Sequence, residues 1–258
     1  MRQRSILLQK LSNNVLVRRI WSLLFLEGDF VRPIVQKPII KSFLPDAEIG
    51  RVLEDGCGRG MYTQYLIDRA TEYYGIDVSQ SHIDTQKQRR RQTHPAHFQV
   101  CSAESLPFED ASFDVVLHTE VLEHVPDDRA AIHEIARVLK AGGLLVLSVP
   151  VPPAPILDHE HVREGYSLED LNMLLNAEGL YIKRVEYCMF GISKALIRFV
   201  SLYSRLTTHI PPPSILRWPL YLERFRLPLG HSGNDGSVGL PLRTSVRLPF
   251  QHPRIEQR

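Results

Sequence analysis

Between residues 50 and 190 the chain alternates short apolar runs with longer stretches whose apolar residues recur every three or four positions. The runs near 51–54, 73–77, 97–101, 113–118 and 143–149 read as strands, and the stretches near 60–70, 79–92 and 127–139 as helices. Strands alternating with helices imply a parallel sheet with right-handed crossovers. Tyr166 to Leu171 opens a further helix, with Ser167 as N-cap and Asp170 three residues on. Gly179 ends it, and Tyr181–Tyr187 reads as the next strand. Ahead of this core, Ile6, Leu7, Leu11, Val15, Ile20 and Leu24 recur at roughly helical spacing among Arg2, Arg4, Lys10, Arg18 and Arg19. That is the pattern of a basic amphipathic helix over 2–26, after which Pro33, Pro38 and Pro45 are expected to break the chain. A second basic amphipathic helix is predicted over 192–207, followed by Pro211-Pro212-Pro213 and an aromatic, basic stretch from Trp218 to Arg226. The expected organisation is an N-terminal helical extension (1–45), an α/β core (46–190) and a basic C-terminal region (191–258).

Charge sharpens this division. The net charge of the 258 residues is +2, yet residues 1–45 carry eight Lys/Arg against two acids and 181–258 carry twelve against four. The middle holds eleven against twenty-three. An acidic core flanked by two basic ends points to an anionic partner. The ends admit two uses: a lid packed over the sites, or docking on an anionic membrane surface with a lipid-linked substrate. No apolar run approaches the ~20 residues needed to span a bilayer, and the N-terminal pattern is not that of a signal peptide. The run Lys87, Arg89, Arg90 and Arg91 lacks interleaved aromatics, so nucleic-acid binding is not expected. Cys57, Cys101 and Cys188 form no C-x-x-C pair, which argues against a zinc knuckle or disulfide scaffold and for a reducing, cytoplasmic setting.

The chemistry concentrates in Val52-Leu53-Glu54-Asp55-Gly56-Cys57-Gly58-Arg59-Gly60, a strand ending in two acids and running into a glycine loop. Glycines turn sharply and let the backbone approach a ligand without a Cβ in the way. Met61 stands where a G-x-G-x-x-G loop would have its third glycine, and the acids would repel a pyrophosphate. Both features suit a nucleoside carrying ammonium and sulfonium charges. Seventeen residues past Gly60, the strand Tyr73-Tyr74-Gly75-Ile76-Asp77 ends in a carboxylate that can accept from ribose hydroxyls. With the segments Cys101 to Val116 and Arg137-Val138-Leu139-Lys140-Ala141-Gly142-Gly143 in order behind them, these motifs resemble the class I S-adenosylmethionine-dependent methyltransferases over residues 50–180. The resemblance implies a doubly wound, mostly parallel seven-stranded Rossmann-like sheet, with Thr244–Leu248 as its last, antiparallel strand. It also implies that Glu54, Gly56, Gly58 and Gly60 hold the methionine end of the cofactor, Asp77 the ribose, and Ser102, Ala103 and Glu104 the adenine edge. Ser102 departs from the family's usual aspartate, and Ala141 from a common proline.

Methyl transfer is an in-line displacement in which positioning supplies much of the effect, and a base is needed only where the nucleophile must lose a proton. Candidates follow the fourth strand in His118-Thr119-Glu120-Val121-Leu122-Glu123-His124. Three readings stay open. Glu123 and His124 fix the loop; or His124, His118 or Glu120 serves an oxygen nucleophile as base; or Glu120, Glu123 and His124 hold a metal ion, helped by His159 or His161. The last resembles the E-x-x-E-H motif of ubiquinone-biosynthesis O-methyltransferases and small-RNA 2′-O-methyltransferases. Asp158-His159-Glu160-His161-Val162-Arg163, after the fifth strand, reads as a cluster of substrate contacts. The expected activity is methyl transfer from S-adenosylmethionine to a small-molecule, glycan or lipid-linked acceptor, at oxygen. A non-catalytic scaffold of the same fold and a nicotinamide-dependent oxidoreductase are the alternatives.

Overall fold

The structure is a computed structural model that describes residues 31–89, 95–152, 161–188, 199 and 243–249. By internal packing the chain divides into two units, Lys37–Cys188 with Leu240–Arg258 and Met1–Gln36 with Met189–Gly239. Nearly all described residues belong to the first. The basic helices expected over 2–26 and 192–207, and His159, lie outside the described residues. Among the described residues no helix is long and apolar enough to cross a membrane.

Helix α1 (Gln36–Phe43) leads into β1 (Ile49–Asp55), α2 (Thr63–Ile67), β2 (Ala70–Asp77), α3 (Gln80–Arg89), β3 (Ala96–Val100) and β4 (Phe113–Thr119). A single 3₁₀ turn (Leu122–His124) precedes α4 (Asp128–Val138), β5 (Leu139–Pro150), α5 (Leu168–Ala177), β6 (Arg184–Cys188) and β7 (Arg243–Pro249). The strands lie side by side as β3-β2-β1-β4-β5-β7-β6. Pairings among β1 to β5 are parallel, whereas β7 runs antiparallel to both β5 and β6. Strand order reverses between β1 and β4, the switch point where doubly wound sheets open a crevice at their carboxyl edge. The fold is the doubly wound, mostly parallel sheet that the alternation predicts.

Both faces of the sheet are covered, which is why its central strands are nearly uninterrupted apolar runs. Side chains alternate along each strand. Leu53, Ile76, Val116, Leu145 and Leu147 meet Ile132 and Ile135 of α4 and Leu171 and Leu175 of α5 on one face. Val52, Tyr73, Val115, Leu117 and Val146 meet Ile40 and Phe43 of α1 and Leu66 and Ile67 of α2 on the other. Each fully buried aliphatic side chain contributes about 1.5–3 kcal/mol.

Local signals explain most boundaries. Asp127 caps α4 by accepting from the Ala130 amide at 3.0 Å, and Ser167 caps α5 by accepting from the Asp170 amide at 3.1 Å. Gly179 follows α5 with φ 73°. Pro38, expected to break the chain, instead sits in the first turn of α1, where a missing N–H costs nothing because no intrahelical acceptor awaits it. The helix expected over 60–70 is trimmed to Thr63–Ile67, since the Gly60 amide turns back to the Cys57 carbonyl at 2.9 Å.

Candidate active site

The parallel registers place Asp55 opposite both Ile76 and His118, and Asp77 opposite Val100. The carboxyl ends of β1, β2 and β4 therefore share one edge. From there Gly56, Gly58 and Gly60 carry the chain through φ values of 81°, 47° and 82°. The Gly56 and Cys57 amides both donate to the Ile76 carbonyl, at 3.0 and 2.8 Å. A Cβ on Gly56 would lie 2.1 Å from Cγ2 of Val121, whereas one on Gly58 would meet nothing closer than 3.9 Å. The loop is packed tightly at its start and open at its middle, which is the shape a ligand cradle requires. Asp77 fixes that middle. Its Oδ2 accepts from the Gly58 amide at 2.8 Å, and its Oδ1 from the Ser79 amide at 2.8 Å, with His82 Nδ1 at 3.2 Å. Each carboxylate oxygen has lone pairs beyond these, so a hydroxyl pair of a ribose can still be received.

Glu54 lies beneath the loop, 2% exposed. Its Oε2 accepts from Thr63 Oγ1 at 2.7 Å and from the Tyr73 hydroxyl at 2.5 Å. Burial pushes its carboxyl up to about 7, against those hydrogen bonds and the charge of Lys37. The Cys57 thiol is pushed up as well, by burial first and then by the charges of Glu54, Asp77 and Asp55. Three carboxyl groups thus act on one point of the loop, an environment that fits a ligand with sulfonium and ammonium charges and opposes a pyrophosphate.

His118, a candidate base, is fully buried, with Nδ1 2.8 Å from Oδ2 of Asp55. No part of His118 is exposed, and its Nδ1 faces Asp55. Asp55, which the sequence offers only as half of an acidic pair, is its cross-strand partner. Ser102, Ala103 and Glu104 follow β3 as expected, but Glu104 turns inward. Its Oε1 accepts from the Asp127 amide at 2.8 Å, beside the start of α4, and its Oε2 from Ser102 Oγ at 3.2 Å. Of the three, Ala103 is buried and Ser102 half-buried.

The turn after β4 forms the other half of the edge. Glu120 has φ 57°, a left-handed conformation uncommon outside glycine and often found at functional sites. Its amide donates to the Ser148 carbonyl at 3.0 Å and its Oε1 accepts from Ser148 Oγ at 3.0 Å. Glu123, His124 and His161 come together, with one ligand atom from each lying within 4.8 Å of the others. The His124 and His161 rings meet edge to face at 4.5 Å between centroids. Glu120 Oε1 is bonded to Ser148, and the gathered group comprises Glu123, His124 and His161. Arg163, read from sequence as a substrate contact, is instead a clasp. Its guanidinium reaches the Tyr166 hydroxyl at 2.5 Å, the Pro126 carbonyl at 3.0 Å, the Leu122 carbonyl at 3.3 Å and Asp128 at 2.8 Å. The Val162 amide adds a bond to the Glu123 carbonyl at 3.0 Å.

A doubly wound sheet with a glycine loop after β1 and an acid at the end of β2 is the architecture in which open α/β sheets hold nucleotides. The family model described as a methyltransferase domain matches residues 53–147. The chain is 32% identical over 209 residues to the 27-O-demethylrifamycin SV methyltransferase of Amycolatopsis mediterranei, covering 72% of this chain and 75% of that protein. It is 33% identical to the O-methyltransferase cnsE of Penicillium expansum, covering 54% of this chain, and spans only 55% of that relative's length. Among solved structures, the YcgJ protein of Bacillus subtilis shares the fold with a TM-score of 0.58 at 23% identity, over 86% of this chain and 99% of that one. The chain belongs to the S-adenosylmethionine-dependent methyltransferase family. It is an enzyme, and S-adenosylmethionine is its cofactor. That assignment removes the oxidoreductase alternative.

Proposed function

We propose that the protein moves the methyl group of S-adenosylmethionine to a hydroxyl oxygen of a small-molecule or lipid-linked acceptor, with His124 as the base. The placement of His124 carries the reading: it is half-buried at the carboxyl end of β4 beside His161, on the side of the edge away from the ribose carboxylate. An imidazole is a side chain that can accept the proton of an attacking hydroxyl. Two relatives whose printed names specify O-methylation support oxygen as the acceptor atom.

In this reading the backbone of Gly56, Gly58 and Gly60 holds the methionine end and Asp77 the ribose hydroxyls. Ser102 and Ala103 flank the adenine, Glu104 holding Ser102 in place. Glu54 acts from below, through the Tyr73 and Thr63 bonds that brace the floor. When bound, S-adenosylmethionine supplies a methyl carbon made electrophilic by its positive sulfur. For the acceptor oxygen to attack that carbon in line, its hydroxyl proton would pass to His124. His118 orients Asp55 below the loop and makes no contact with the acceptor.

Transfer of labelled methyl into an extract of cells lacking the protein, followed by organic–aqueous partition, tests this reading. Label in the organic phase assigns a lipid-linked or quinone-like acceptor, and label in the aqueous phase a soluble one. His124→Gln should cut transfer by about a hundredfold with cofactor affinity unchanged. Full activity in that variant removes the base.

A second reading rests on the gathering of Glu123, His124 and His161. One carboxylate and two imidazoles suit a divalent cation such as Zn²⁺ or Mn²⁺, which would polarise the acceptor oxygen. Full activity in EDTA, with no cation binding by calorimetry, would leave His124 as a plain base.

A further inference from the structure

Helix α3 buries only two side chains, Ile83 and Gln86. Gln86 is 5% exposed, and a buried amide is costly unless its hydrogen bonds are made. It donates from Nε2 to the Gly58 carbonyl at 2.9 Å. His82 and Arg89 lie four residues before and three after it, on the same helix face. His82 reaches Asp77 Oδ1 at 3.2 Å, and Arg89 donates to the Arg59 carbonyl at 3.2 Å. The Gly58 amide is already held by Asp77 Oδ2 at 2.8 Å, so this part of the loop is gripped at both its N–H and its C=O. A Cβ on Gly60 would lie 2.7 Å from the Gln86 amide group, so the same side chain also fills the space beside the third glycine.

We propose that His82, Gln86 and Arg89 form a positioning stripe that holds residues 58–60 in the form that receives the cofactor, with Gln86 its principal member. A glycine loop samples many conformations when unrestrained, and affinity falls with the fraction that is competent to bind. Gln86 raises that fraction through the backbone of Gly58, and the half-buried His82 and the exposed Arg89 steady the two ends. The inference rests on the reading of residues 56–60 and Asp77 as the cofactor cradle.

Calorimetric titration of S-adenosylhomocysteine into the full chain and its Gln86→Met, Gln86→Glu and Asp77→Ala variants tests it. Gln86→Met keeps the length and loses the donor, and should weaken binding about fivefold. Hydrogen exchange of the 56–61 peptide in ligand-free protein should quicken, while the ligand-free melting temperature stays close to the parent's. Gln86→Glu keeps the shape and can donate only when protonated. Its deficit relative to the parent should therefore grow between about pH 5 and pH 8, which a space-filling role would not produce. Unchanged affinity in Gln86→Met, or a deficit in Gln86→Glu that is flat with pH, overturns the stripe. If Asp77→Ala also binds normally, the cradle reading itself has failed; if it alone is weakened, only the stripe has.

Discussion

At the carboxyl edge of β1 and β2 the chain turns on glycines that nearby side chains hold, and at the carboxyl edge of β4 and β5 long-range side-chain bonds do more of the holding. The first region uses three glycines at positive φ and main-chain bonds from Gly56 and Cys57 to Ile76. The second uses Arg163, Tyr166, Asp128 and Ser148, reaching across 28 to 44 residues to hold one turn. Backbone geometry suits the cofactor-holding role proposed for this half. Side-chain bridges can change one residue at a time without disturbing the sheet, which suits the half that meets a varying acceptor.

The contrast is sharpest in its steric demands. Gly56→Ala should be the most damaging of these changes, because it combines strain at φ 81° with a 2.1 Å contact to Val121. A loss of about 3 kcal/mol in urea unfolding is expected. A loss below about 1 kcal/mol would mean that Val121 yields freely and the loop is softer than its packing implies.

Glu54→Gln follows. In the folded protein burial keeps the Glu54 carboxyl protonated up to about 7, whereas in the unfolded chain it ionises near its ordinary 4.5. The unfolded state holds fewer protons between those values, so this group makes ligand-free stability fall as pH rises through that window and leaves it level above. The variant should remove that slope, a difference on the order of 3 kcal/mol across the window. Parallel slopes for parent and variant would show Glu54 ionised throughout.

On the other side of the edge, Arg163→Met should cost about 2 kcal/mol through lost charge-assisted bonds. It should lower methyl transfer while leaving S-adenosylhomocysteine affinity intact. A fall in that affinity would erase the separation between the two halves. The mildest effect on folding should come from Gly58→Ala. It costs about 1 kcal/mol of stability for its left-handed backbone, yet it should lower cofactor affinity more than tenfold by filling the open side of the cradle.

How much could be read beforehand follows the same division. The strand–loop–helix at Val52 to Arg69, the acid Asp77 and the cap Ser167 are local in sequence, so composition and spacing expose them. The Asp55–His118 pair is separated by 63 residues and the Arg163–Leu122 bond by 41, and only the strand registers and the packing of the two loops bring them together. Glu104 fits the adenine loop by position, but the start of α4 offers the Asp127 amide at 2.8 Å and claims its carboxylate. Gln86 was within reach: a glutamine on the inner face of a helix whose other buried residue is Ile83 is a polar group in need of a partner. The Pro38 expectation failed because proline ends a helix from within and begins one from its first turn.

The Arg163 clasp has a consequence for how such enzymes diversify. Because Arg163 and Val162 are bonded to Leu122, Glu123 and Pro126, residues 162–163 and the turn after β4 are held as one piece. A graft from a relative whose turn backbone runs differently would leave the arginine without the carbonyls it meets here. Recombination between family members should therefore transmit these two stretches together, as a single heritable unit carried on an indifferent sheet.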